Sequence, residues 1–280
     1  MESFLKNFYR GLGRIFPDCL NLSQAIAFNM FLAFFPVLLL ALGILSSSST
    51  FHNVLRELPE RLRMIVPSGS EDIVSQYFVR KGQHPWKWFL LGLGGTLLAG
   101  SQVMVGFMEG FRTIEGDLIR PTFLRGHLRA LLLLLLTFLP ALVVVILTVF
   151  GKQARGALIH TFGLPALFNA LAFVFQAAIV FTLSMVVLVL LYRVGRPEHP
   201  GWRRLLPGAG VATILWWTVD IVFGFYVRKM PYDVVYGGLA AAIGLLIWMY
   251  LTALVVLLGA AFNAEWFESF AKPGGSATLR

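Results

Sequence analysis

The chain alternates between long stretches without formal charge and short segments rich in lysine and arginine. Six uncharged or nearly uncharged stretches stand out: Gln24 to Leu45, Trp88 to Met108, Ala130 to Phe150, Pro165 to Tyr192, Leu205 to Val227 and Gly237 to Ala264. Five contain no charged residue and the fifth contains only Asp220. A hydrocarbon core about 30 Å thick needs roughly 20 residues at about 1.5 Å each, so each stretch is long enough to cross it as a helix. Backbone groups inside lipid must bond to one another, which leaves helices or a closed barrel. Continuous apolar runs such as Leu131 to Leu136 lack the strict alternation of barrel strands. The pattern therefore predicts an all-α integral membrane protein of about six transmembrane helices in a single transmembrane domain, residues 1–280.

Two further segments carry helical periodicity outside these spans. Near the N-terminus, Phe4, Leu5, Phe8, Leu12, Ile15 and Phe16 share one arc at 100° per residue, with Lys6, Arg10 and Arg14 opposite. This predicts an N-terminal interfacial helix lying on the membrane surface. Between the first two spans, Val54, Leu55, Leu58, Leu62 and Ile65 recur at helical spacing. Pro67 follows, then Ser68 and Glu71 in capping-box spacing, then Ile73, Val74, Tyr77 and Phe78. Two short amphipathic helices over the outer face are expected there, as simple packing or as a lid.

Composition agrees with a lipid setting: 58% of the 280 residues are hydrophobic and 13% charged, against about 25% charged in soluble domains. The formal charge of +9 sits in the connections rather than on a continuous face, so anionic membrane lipids, and not nucleic acid, are the expected counter-charge. The flanking cations also set orientation. Lys6, Arg10 and Arg14 precede the first span; Arg112, Arg120, Arg125 and Arg129 lie between the second and third; Arg193, Arg196, Arg203 and Arg204 lie between the fourth and fifth. The opposite side has only Lys152 and Arg155, and Arg228 and Lys229, in its short connections. Both termini are thus expected in the cytoplasm of a bacterial inner (plasma) membrane. The N-terminal segment, interrupted by three cations, does not read as a cleavable signal peptide.

Chemistry is sparse. The single cysteine, Cys19, allows no internal disulfide, and the five histidines are each more than 30 residues from the next. A metal-dependent nuclease needs ligands converging on one ion. No phosphate loop, dinucleotide fingerprint or catalytic triad stands out. No enzymatic activity, metal or cofactor is expected.

Several residues in order resemble a known family. Ser23, Ala25, Ala27, Phe28 and Asn29 leading to Phe35 and Pro36 are similar to the first-span signature of the BrkB family, also called the YihY family and historically labelled ribonuclease BN. Pro207, Gly208, Ala209, Ala212 and Trp216, then Phe223 and Tyr226, resemble its fifth span. Tyr232, Tyr236, Gly237, Gly244 and Trp248 resemble its sixth, and Gly259, Asn263, Ala264 and Glu265 its closing motif. The chain departs from the family at Asp233 and Gly238, where Asn and Ser are usual, and at Phe107, Met108 and Glu109, where Ala-Leu-Asn is common. The resemblance implies a six-helix inner-membrane protein and little defined chemistry.

Two groups of residues are candidates for function. Asp220, within a span, costs about 2.5 to 3.5 kcal/mol to insert unless it faces protein or water, so it is expected toward the bundle interior. It reads either as a proton or cation site or as a buried hydrogen-bonding residue, with Gln176, Asn29 or Gln102 as partner. Asn29, Gln24, Gln102, Asn169 and Gln176 also read either as lining of a polar pathway or as glue between helices. Glu109, Arg129, Asn263 and Glu265 are expected near the cytoplasmic span ends, as an ion-pair cluster closing an inner gate or as solvated charges. Gly95 with Ala99, Gly106 with Gly110 and Ala240 with Gly244 have the small-x-x-x-small spacing of close helix contacts, and Pro36 and Pro140 are expected to kink their helices. Trp86, Trp88, Tyr232 and Tyr236 suit an aromatic belt. Two functions stay open: a transporter or flippase-like exporter of an anionic or lipidic substrate through a polar cavity, and a non-transporting envelope scaffold or resistance-associated protein. A reporter enzyme active only in the cytoplasm should be active when fused to either chain end; activity of a periplasm-only reporter there would reverse the assigned orientation.

Overall fold

A computed structural model describes residues 2–46, 85–117, 122–162, 166–196, 201–229 and 238–271. Its elements are helices α1 (Glu2–Ser46), α2 (Pro85–Glu115), α3 (Phe123–Phe162), α4 (Ala166–Gly195), α5 (Trp202–Lys229) and α6 (Gly238–Ala271). Each holds a stretch of 26 to 29 residues long and apolar enough to cross a membrane. No strand occurs among the described residues. The expected outer amphipathic segment, with Tyr232, Asp233 and Tyr236, lies outside the described residues. The amphipathic N-terminal stretch is helical and runs without a break into the first span as one 45-residue helix.

Local chemistry explains where the helices begin and end. Pro85 opens α2, where its missing N–H would be unpaired in any case. The same helix closes on Gly116 at φ 69°, with Asp117 N–H donating to Arg112 O (3.0 Å) and Gly116 N–H to Thr113 O (3.2 Å). That pair of bonds is a Schellman motif, and the left-handed backbone it needs is open to glycine at little cost. Thr122 precedes α3, and its carbonyl accepts from Gly126 N–H at 3.0 Å. Helix α4 stops at Gly195, two positions before Pro197 in the sequence, which has no N–H with which to continue the ladder. Pro36 and Pro140 both lie inside helices that continue past them. Within the spans, hydroxyls return to carbonyls of their own helix: Thr137 to Leu133, Thr148 to Val144, Thr213 to Ala209 and Thr218 to Ile214. Each donor is thereby satisfied without water.

The chain forms two compact units. The first comprises Met1–Leu22, Met104–Thr218 and Leu254–Arg280. Its core holds Phe111, Leu133, Tyr192, Leu205 and Leu257, all fully buried. Phe111 meets the Tyr192 ring edge-on at 5.4 Å and stacks on Phe107 at 6.2 Å, geometries that aromatic quadrupoles favour. Helices α3 and α4 pack along each other. The second unit comprises Ser23–Val103 and Val219–Ala253. There Gly92 lets α2 approach the backbone of Leu39 and Leu40 in α1, and Gly95 seats the Pro36 ring.

In lipid, helices gain little from hiding apolar surface, so close backbone approach carries much of their association. In the first unit, Gly208 of α5 crosses closely on Gly259 of α6. A β-carbon on Gly208 would collide with Gly259 O and the Asn263 side chain; one on Gly259 would meet Ala212 Cβ at 2.6 Å and Gly208 O at 2.7 Å, besides the Tyr192 hydroxyl. Among the spaced small residues, Gly110 would meet Leu257 at 2.7 Å, whereas Gly244 has nothing within 4 Å. Gly208→Ala and Gly259→Ala should each lose about 1–3 kcal/mol or more through overpacking against backbone that cannot yield. Gly94→Ala, with nothing within 4 Å, should leave stability unchanged or slightly raised in detergent melting experiments.

Candidate functional site

In the first unit, polar side chains from the ends of α2, α4 and α6 converge on one another and on the backbone of α5. Arg196, one residue beyond α4, is 6% exposed. Its Nη1 lies 3.0 Å from Oε1 of Glu115 at the end of α2, and its Nη2 donates to Ala260 O of α6 at 3.1 Å. One turn back, the Tyr192 hydroxyl donates to Val256 O at 2.8 Å, and the Arg196 guanidinium lies 5.9 Å from that ring's centroid. Asn263, 1% exposed, closes the group by joining α6 to α5: its Oδ1 accepts from Gly208 N–H at 2.7 Å and its Nδ2 donates to Leu205 O at 3.1 Å. Pro207 has no N–H, so Asn263 inserts its amide where the α5 ladder is already interrupted.

The electrostatics follow from this placement. Burial pushes the Arg196 guanidinium below its usual pKa, and the Glu115 carboxylate beside it pushes back. Glu115 occupies the last position of α2, where the helix dipole disfavours an anion, and the arginine compensates. Its side chain is 25% exposed against 7% for Arg196, so the two partners differ in what they leave behind when unpaired. Arg196 Nε is buried without a hydrogen-bond partner among the described residues.

This cluster differs in membership from the one expected at the span ends. Asn263 is central to it, while Glu109 and Arg129 are exposed and Glu265 is half-buried. Glu115, Tyr192 and Arg196 were not singled out, because a sequence shows Arg196 only as one of four cations in a connection. The nearest signal was Asn263 in the closing motif together with Pro207 and Gly208.

The second unit holds Asp220. It lies seven residues inside the end of the α5 span at Val227, about 10 Å at the helical rise. Its Oδ1 accepts from Trp248 Nε1 of α6 at 2.9 Å, so the partner is an indole rather than one of the amides the sequence offered. The residue is exposed, as are Val227 and Leu206, which fall within about 20° and 40° of it around α5. Ile214, Ile221, Val222 and Phe225 are 59%, 70%, 61% and 56% exposed, and at 100° per residue Ile214, Ile221 and Phe225 share one side. Asp220 falls about 100° or more from these, in line with Thr213, Trp216 and Gly224, which are buried or half-buried. Of the span amides, Asn29 is half-buried and Gln24 and Gln102 are exposed. Gln176, in the first unit, donates to Leu147 O of α3 at 2.6 Å and lies against Gly151, which bonds α4 to α3. No group of three or more metal-ligating side chains gathers among the described residues.

Six long apolar helices with polar groups bonded between them define a multi-pass α-helical membrane protein. The chain belongs to the family described as Virulence factor BrkB, which matches residues 16–277. It is 31% identical over 148 residues to the putative ribonuclease-like protein YfkH of Bacillus subtilis (strain 168), covering 51% of this chain and 52% of that one. It is 27% identical to a UPF0761 membrane protein of Laribacter hongkongensis, over 88% of this chain and 57% of that one. It is also 27% identical to a UPF0761 membrane protein of Xanthomonas campestris pv. campestris (strain B100), over 92% and 60%. The chain thus spans between half and three fifths of the length of these relatives. No solved structure matches it.

A double-mutant cycle checks the Glu115–Arg196 pair. Glu115→Ala strands a buried guanidinium and should cost about 3–5 kcal/mol. Arg196→Met leaves a carboxylate that water can still reach and should cost less. The double variant should be more stable than the two losses added. Equal single losses that add without coupling would show that the pair contributes nothing.

Proposed function

We propose that this protein is a transporter or flippase-like exporter of an anionic or lipidic substrate, with Asp220 as its intramembrane proton or cation site. The observation that carries this reading is the position of Asp220: a carboxylate inside a span, exposed, and bonded to an indole of the neighbouring helix. A lipid-facing carboxylate would carry the insertion cost of about 2.5 to 3.5 kcal/mol, whereas one on a water-filled groove would not. The Trp248 N–H, donating a single bond to one oxygen, leaves the second oxygen for a proton or cation. The reading includes a bacterial inner-membrane location with both termini cytoplasmic, supported by the three, four and four cations flanking that side. On that orientation the Glu115–Arg196–Asn263 cluster occupies the cytoplasmic ends of the helices and acts as a closure there.

A non-transporting envelope scaffold acting through partners is the second reading. It draws support from the same cluster, whose polar groups are largely bonded to protein and need no substrate.

Cysteine accessibility separates the two. In a Cys19→Ala background, Asp220→Cys in intact vesicles should react with a charged, membrane-impermeant maleimide, while Ile221→Cys and Phe225→Cys should not. Failure of Asp220→Cys to react from either side, or equal reaction at all three positions, would remove the hydrated groove and with it the transport reading. In proteoliposomes, Asp220→Asn should slow movement of a fluorescent anionic phospholipid between leaflets at least tenfold, corresponding to about 1.4 kcal/mol on the barrier.

A further inference from the structure

Hydroxyls carried into the spans mostly return to their own helix. Thr137, Thr148, Thr213 and Thr218 each donate to the carbonyl one turn back, and Ser101 donates to Leu98 O. Thr252 of α6 does not: it is 8% exposed, and its Oγ1 is buried with no hydrogen-bond partner among the described residues. Thr96 of α2 shares that condition, and it lies about 40° from Gly92, on the side of α2 that meets α1. Thr252 stands elsewhere. It is one turn from Trp248 and about 40° around α6 from it, and the Trp248 indole donates to Asp220 Oδ1 at 2.9 Å. All three residues belong to the second unit.

Helices α5 and α6 are consecutive spans and run in opposite directions, and helical side chains lean toward the N-terminus of their own helix. Asp220 and Thr252 therefore lean toward each other's level. The turn between Trp248 and Thr252 is about 6 Å at 1.5 Å per residue, a gap that a bridging water closes between two polar groups. Open space adjoins the indole on its other side, where a β-carbon on Gly244 would have nothing within 4 Å. A hard metal cation takes about six or more oxygen ligands, and one carboxylate with one hydroxyl falls far short of that number. A proton needs a single oxygen. The other titratable side chains on the helices of this unit are Tyr250, about 160° around α6 from Trp248, Tyr226, Arg228 and Lys229 at the end of α5, and Lys87 at the start of α2; α1 has none from Ser23 to Ser46. We infer that Asp220 takes up one proton from water, rather than a metal cation, and that Thr252 holds the water to which the resulting carboxyl group bonds. The proton adds to the carboxylate and leaves again to water. This rests on the reading of Asp220 as a proton or cation site and not on what the protein moves.

The test is infrared difference spectroscopy on the full chain in proteoliposomes, between alkaline and acid buffer. Acidification should produce the carbonyl stretch of a protonated carboxyl group that is missing in Asp220→Asn. Thr252→Val should move that band to higher frequency, because the carboxyl group loses a hydrogen-bond partner, whereas Thr252→Ser should leave it at the wild-type position. Thr252→Ala gives the same readout where Thr252→Val lowers the melting temperature. Exchanging choline for sodium, potassium or magnesium ions at fixed pH should leave the band unchanged. Absence of any band that depends on Asp220, or its removal by one of these metal ions at fixed pH, would overturn the proton. An unshifted band in both Thr252→Val and Thr252→Ala would overturn the part given to Thr252. A band that obeys these rules in a protein whose lipid movement ignores Asp220→Asn would keep the proton site and remove the transport reading.

Discussion

The structure depends on the cost of carrying an unpaired polar group into lipid. At the ends of α4 and α6 that cost is avoided by side chains that reach across to a neighbouring helix's carbonyl or amide. Such bonds are individually modest, averaging about 0.6 kcal/mol where they have been measured in membranes. They are directional, however, and they can form only if the backbones approach closely. Gly208 and Gly259 provide that approach, since a β-carbon on either would meet the opposing backbone. Packing and polarity in this unit are therefore one device: the glycines bring α5 and α6 together, Asn263 fixes their register, and Tyr192 ties α4 to α6.

A buried ion pair within such a device is a poor source of stability, because desolvation offsets much of the attraction. Arg196 is retained at 6% exposure where an apolar residue could fill the space. Its bonds to Glu115 and Ala260 belong to one arrangement of the helices. A closure that must open during transport would have this character, as would a scaffold that must hold a single arrangement.

Asp220 poses the opposite problem. Among the described residues its carboxylate accepts from Trp248 and remains exposed, whereas the hydroxyls of Thr137 and Thr213 are bonded within their own helices.

The six spans, their helical state and the membership of the family were legible in the residues alone, because charge exclusion over some twenty residues is a one-dimensional property that lipid enforces locally. Asp220 was legible for the same reason, as the one formal charge inside a span. The partners were not. Trp248 stands in the sequence only as part of the family's sixth-span pattern, and Arg196 as one of several cations in a connection; pairing is decided by helix register and crossing, which depend on the meeting of glycines far apart in the chain. The small-x-x-x-small spacings found a real contact at Gly110 and an open one at Gly244, since spacing describes one helix and contact requires two. Sequence by itself determined what must be buried in the membrane, and the tertiary structure decided which groups meet there, because the first is fixed by solvent and the second by geometry between helices.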